Sequence, residues 1–133
     1  MGLLTRTRLI ACAAALLTLA AGLGIRAVMT GDIAKYAGDA LYTALVHVLV
    51  VLVAPRVKPT AAAVAALGFS CAVELFQLTG IPGELAVHSL AARLVLGSTF
   101  NAPDLLWYAV GAVLSALVHT AAQRSVVTAI RQG

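Results

Sequence analysis

Residues Thr60–Thr79 read TAAAVAALGFSCAVELFQLT. A helix that crosses a bilayer needs roughly 20 mostly apolar residues, at about 1.5 Å of rise each. This stretch has that length, holds no proline, and carries one carboxylate, Glu74, with Gln77 one turn further on. An ionisable group at membrane depth is costly, so it usually faces a protein interior or a wet cavity. The same residues therefore predict a spanning helix and point to the place where a site would lie.

Working outward, the whole chain has this character. Of its 133 residues 62% are hydrophobic and only 11% charged, against about 25% charged in an ordinary soluble domain. Its mean hydropathy is +1.01. A water-soluble fold of this size could not hide so much apolar surface, so the composition predicts an integral membrane protein. The net charge is +4, but the basic residues punctuate the apolar runs instead of clustering, which excludes a nucleic-acid surface. Cys12 and Cys71 lie inside predicted spans, with no short-spaced pair to suggest a disulfide framework or a zinc site. They read as small packing residues. No metal and no cofactor is implied.

Three further segments have the length and character to span. Leu9–Ile25 is flanked by Arg6, Arg8 and Arg26; Tyr36–Ala54 is closed by Pro55-Arg56; and 104–122 is opened by Pro103 and closed by Gln123-Arg124. With 60–79 they predict one all-α domain over residues 1–133, an integral membrane four-helix bundle. Leu90–Phe100 is apolar but too short to span and contains Arg93, so it reads as an interfacial or re-entrant element before the last helix. Abundant Ala and Gly suit close helix contact in lipid.

Orientation follows from the loop Lys and Arg residues. Arg6, Arg8, Arg56, Lys58, Arg124 and Arg131 fall on one side, and Arg26, Lys35 and Arg93 on the other. That bias puts both termini in the cytoplasm. The first segment has the basic start and apolar middle of a signal peptide, but no small-x-small cleavage site follows it. Leu9-Ile10-Ala11-Cys12 matches a lipoprotein box, yet it precedes the apolar run that such a box should follow. The first helix is therefore expected to be retained.

The polar residues inside the spans converge in depth. By helical rise Glu74 lies about 7–8 Å below the outer end of its helix. Asp39 sits near the start of the second span, and Asp104 opens the fourth at the same outer level. Facing agrees: Glu74 and Gln77 share a face, as do Asp39 and Tyr42, and Asp104, Tyr108, Gly111 and Ser115 form one small and polar stripe. Together they predict an outward-facing polar pocket, with Arg93 as the nearest counter-charge. Asp39 and Asp104 each also suit a helix N-cap, whereas Glu74 lies too far inside its helix to be one. Arg93 equally suits snorkelling to the headgroups. His47 reads as a packing histidine, His88 and His119 as interfacial, and Trp107 as part of an aromatic belt.

Several of these runs resemble a known family. Gly38-Asp39-Ala40-Leu41-Tyr42, Pro55-Arg56, Glu74-Leu75-Phe76-Gln77-Leu78, Leu94-Val95-Leu96-Gly97-Ser98-Thr99-Phe100, Asp104-Leu105-Leu106-Trp107-Tyr108 and Gly111 resemble the bacterial membrane family described as domain of unknown function 2809 (DUF2809). The resemblance covers roughly residues 30 to 120, and its specificity lies in the order and spacing of motifs that are each weak alone. It implies an arginine shortly before the Leu-Val-Leu-Gly run, where Arg93 stands here. The glutamate-x-x-glutamine pair and the aspartate-led last helix are more distantly similar to VanZ-like proteins, small multi-pass proteins linked to glycopeptide-antibiotic tolerance. Neither resemblance supplies a reaction; both imply a small four-helix inner-membrane protein.

The functional expectation is an envelope membrane protein whose pocket of Asp39, Tyr42, Glu74, Gln77, Arg93, Asp104 and Tyr108 binds a polar or lipid headgroup or a membrane-protein partner. A second reading is an enzyme on a lipid-linked substrate, with Glu74 as general acid or base. Against it, the chain has no nucleophile triad, no HExxH and no glycine-rich phosphate loop, so the balance leans away from an enzyme. A third is a small transporter subunit. Four helices would serve that role only as a homo-oligomer, with Gly111-x-x-x-Ser115 as the contact.

Overall fold

Proline and glycine punctuate this chain, and the helices begin and end where they fall. The computed structural model describes residues 2–133. It contains α1 (Leu3–Val28), α2 (Gly31–Val53), α3 (Pro59–Phe76), α4 (Ile81–His88), α5 (Leu90–Leu96) and α6 (Ala102–Gln132). Pro59, Pro82 and Pro103 each stand in the first turn of a helix. There the missing N–H costs nothing and the fixed φ favours entry. A 3₁₀ turn, Gln77–Thr79, prolongs α3 and stops at Gly80, whose φ of +79° turns the chain into α4.

Four of these helices are long and apolar enough to cross a membrane: Leu3–Val28, Gly31–Val53, Pro59–Thr79 and Ala102–Gln132. The fold is an all-α membrane bundle. α2, α3 and α6 pack against one another, and α1 lies along α2. Contact is made by small side chains: Ala62, Ala63 and Ala66 of α3 and Ala112 of α6 are buried, as expected where backbones approach closely in lipid. At the crossing of α2 and α6 a side chain on Gly111 would run into the backbone carbonyl of Ala40. Only glycine permits that approach. Leu16, Leu17, Val64, Leu106 and Val118 point outward and are more than half exposed. Such an apolar exterior is tolerable against acyl chains and not against water.

The structure departs from the sequence reading in four places. α1 runs from Leu3 to Val28 rather than from Leu9 to Ile25. α2 begins at Gly31 rather than Tyr36. α6 runs on to Gln132, because Gln123-Arg124 changes the polarity of the segment without a glycine or proline to end the helix. Its 31 residues make it about 46 Å long, well beyond a hydrocarbon core of about 30 Å. Finally, the expected single short element is a pair, since α4 precedes α5 and packs on it. Pro82-Gly83 reads as a break in sequence, yet a proline there starts a helix. Neither short helix has the length to span. The turn between α1 and α2, the α4–α5 hairpin and the start of α6 all lie at one end of the bundle.

Candidate functional site

The polar residues of α2, α3 and α6 come together at that end. Asp39 is the ninth residue of α2 and is buried, so it caps nothing. Lys35, one turn before it, sends its ammonium 3.7 Å from Asp39 Oδ2 and ion-pairs across to Asp104 of α6. Asp104 lies in the first turn of α6, where a carboxylate also suits the helix dipole. It accepts a 2.6 Å hydrogen bond from Asn101 Nδ2. Lys35 is thus shared by two carboxylates on different helices. This corrects the expectation that Arg93 would be the counter-charge: among the described residues Arg93 makes no ion pair, and Lys35 makes two.

Glu74 sits beneath this layer with no exposed surface. Both of its oxygens are occupied: Tyr108 Oη donates to Oε2 at 2.8 Å, and the backbone N–H of Asn101 donates to Oε1 at 2.6 Å. Glu74 therefore binds the start of α6 to the end of α3, as a buried acceptor needs donors to offset its desolvation. Gln77, one turn on, donates from Nε2 to the carbonyl of Leu96 at 2.7 Å, and Tyr42 Oη donates to the carbonyl of Val95 at 2.8 Å. These two bonds hold the end of α5 over the bundle. Gly97 follows with φ +67°, and a side chain there would strike the Gln77 amide. Gly97 is needed for both its conformation and its space.

A cleft of about 300 Å³ lies between the bundle and the α5 segment. Asp39, Tyr42, Gln77, Arg93, Asp104 and Tyr108 line it, as do Arg26, Lys35 and the segment from Leu94 to Thr99. Glu74 alone of the expected residues is not on its wall. Beside the cleft Tyr36 and Trp107 stack with ring centroids 5.3 Å apart, and the Lys35 ammonium lies 5.7 Å from the Tyr36 ring centre. Trp107 thus holds α6 to α2, a role its reading as a belt residue does not include. Two buried acceptors in this region, Asp39 Oδ2 and Gln77 Oε1, have no hydrogen-bond donor.

Further along the bundle the polar contacts are of another kind. The Thr43 and Ser70 hydroxyls meet at 2.9 Å, and Ser70 donates to the Ala66 carbonyl at 2.9 Å. His47 Nε2 lies 3.1 Å from His119 Nδ1. His119 is therefore a partner inside the chain and not the interfacial residue expected. Gly111, set against Ala40, is likewise used within the chain rather than held free for a second copy. No three metal-ligating side chains come together among the described residues.

The family model for a protein of unknown function, DUF2809, matches residues 28–112. The chain belongs to the DUF2809 family. No curated protein and no solved structure matches it. The matched span contains every residue of the cleft except Arg26, so the cleft is built almost wholly from the part that defines DUF2809. Sequence reading missed Arg26, Lys35 and Asn101. One signal was present for Lys35: with α2 begun at Gly31, Lys35, Asp39, Thr43 and His47 recur every four residues along one face.

Proposed function

We propose that this protein is a multi-pass protein of the bacterial inner membrane, with both termini cytoplasmic and the cleft facing outward, and that the cleft binds a polar headgroup of an envelope lipid. The observation that carries this reading is the cleft itself, about 300 Å³ in volume and lined by both signs of charge at the end of a bundle whose outer surface is apolar. Ionisable groups at such a place usually face a wet cavity and mark function. The distribution of Lys and Arg supports the orientation, since Arg26, Lys35 and Arg93 are the minority set at the cleft end. The state of Glu74 supports binding over acid–base chemistry. Its oxygens are engaged and it has no exposed surface, so it braces the helices behind the cleft without reaching an occupant.

The test is lipid retention by the purified protein in mild detergent, read by native mass spectrometry. Thr99→Trp places a bulky ring at an exposed position on the cleft wall and should empty the cleft while helicity is kept. Equal lipid retention by the variant and the parent would overturn the reading. Labelling of a Ser98→Cys protein by a membrane-impermeant thiol reagent applied to whole cells tests the orientation, with Cys12 and Cys71 replaced by Ala.

A further inference from the structure

We infer that the cleft takes a phosphate-bearing headgroup, with the phosphate held between Arg26 and Arg93 against the Ser98–Thr99 segment. This rests on the headgroup reading above and adds the chemical class. The charges of the cleft divide into two sets. Lys35 is committed to Asp39 and Asp104, while the ion pairs of the described residues leave Arg26 and Arg93 without a carboxylate. Both residues line the cleft, and they come from different elements, the last turn of α1 and the middle of α5. Arg26 reaches it by lying across α2 at Gly38, where a Cβ would be only 3.5 Å from Arg26 Nε. The absence of a side chain at Gly38 makes that path. Two arginines that line one cleft without a carboxylate partner suit an anion with several oxygens, because the planar fork of arginine pairs bidentately with phosphate.

The adjoining backbone supplies more donors. Gly97 N–H bonds to the Arg93 carbonyl and Asn101 N–H to Glu74, but the N–H groups of Ser98 and Thr99 meet no acceptor among the described residues. Both residues line the cleft, with their hydroxyls likewise unengaged. This segment therefore offers free donors to the cleft, while Asp39 and Asp104 in the same lining are already neutralised in part by Lys35. Next to Arg93 the exposed Leu90, Leu94 and Val95 continue the apolar exterior up to the cleft. A phosphate bound there would leave acyl chains on an apolar surface.

The experiment titrates the detergent-solubilised full chain with dioctanoyl phosphatidylglycerol and with dioctanoylglycerol, which has the same chains and no phosphate. Binding is read by native mass spectrometry, with inorganic phosphate as competitor. The phosphatidylglycerol is expected to bind at least about tenfold more tightly, the size of one charge-assisted hydrogen bond. Arg26→Gln and Arg93→Gln should each weaken it by about tenfold or more, Arg93→Lys should restore part of the loss, and Lys58→Gln at the far end should change nothing. Competition by inorganic phosphate means that the anion suffices; its absence means that the acyl chains are needed, and either result supports a phosphate site. Equal binding of the two lipids, or full binding by both arginine variants, overturns the inference. If Thr99→Trp still abolishes that equal binding, the headgroup cleft stands and only its phosphate class fails. If Thr99→Trp changes nothing, the cleft reading itself has failed.

Discussion

The polar interior of this bundle has two regions built from the same helices, and they differ in charge and in openness. In the middle, Thr43 meets Ser70 and His47 meets His119 across helix contacts, and one buried atom, His47 Nδ1, is left without a partner. At the end, Lys35 is divided between two carboxylates, two buried acceptors lack donors, and two arginines without a carboxylate line an open cleft. Both regions lie on one stripe of α2, with Lys35, Asp39, Thr43 and His47 four residues apart. Polarity at the right spacing therefore does not by itself make a site. Paired polar groups in a closed interior align helices, because an unmet group in hydrocarbon is costly. Unbalanced groups around a cavity are left for an occupant to satisfy.

The hardest test of this contrast is Gly111→Ala, which strikes the crossing on which both regions depend. The new methyl meets the Ala40 carbonyl, and a backbone atom cannot turn aside as a side chain can. α2 and α6 must separate, at a cost of about 3 kcal/mol, the upper part of the usual range for overpacking. Thermal unfolding in detergent should show the loss, and lipid retention should fall with it. Glu74→Ala comes next. It leaves Tyr108 Oη and the Asn101 N–H without their acceptor, at about 2 kcal/mol, since hydrogen bonds inside membrane bundles are each worth about 1 kcal/mol. Glu74→Gln keeps a carbonyl for Asn101 and should cost about half of that. If Glu74→Ala is as stable as the parent, the buried carboxylate is not the brace described above.

Lys35→Met is smaller still for stability and larger for the cleft. The Lys35 side chain is 43% exposed, so solvent screening holds its contribution to about 1 kcal/mol. Its loss leaves Asp39 and Asp104 facing the cleft without their shared cation, and phosphate-bearing lipid should bind more weakly while the melting temperature barely moves. A large drop in melting temperature with unchanged lipid binding would make the end cluster structural, like the middle one.

Much of this was legible in the sequence. Apolar runs bounded by Pro55, Pro59, Gly80 and Pro103 are local signals, and they predict the four long helices. Depth and facing follow from helical rise and periodicity, so Asp39, Glu74, Gln77, Asp104 and Tyr108 were expected together. What local signals do not carry is which partner each group takes. Starting α2 at Tyr36 made Lys35 a loop charge and made Asp39 a candidate cap. Periodicity puts Glu74 on an inward face but does not say that Asn101 and Tyr108 will use both of its oxygens. His119 meets His47 only because α6 crosses α2 at Gly111, a register set by tertiary packing. Arg26 enters the cleft across Gly38, a path that exists only once α1 lies on α2.

The smallest expected effect is the most discriminating. Thr43→Val with Ser70→Ala removes the hydroxyl pair in the middle of the bundle and leaves no donor or acceptor stranded, because the Ala66 carbonyl that Ser70 bonds keeps its own place in the α3 helix. Valine has the shape of threonine, and an isolated hydrogen bond between helices in lipid averages about 0.6 kcal/mol. Replacing both partners of a buried pair by apolar groups of like shape is close to neutral. The double variant should therefore keep its melting temperature within about 4 °C, the shift that corresponds to at most about 1 kcal/mol, and should bind phosphatidylglycerol as the parent does. Parent-like binding with a small thermal change keeps the two regions distinct. If the double variant instead loses lipid as Gly111→Ala does, the middle pairs and the end cleft are one coupled network, and the division between closed alignment and open binding fails.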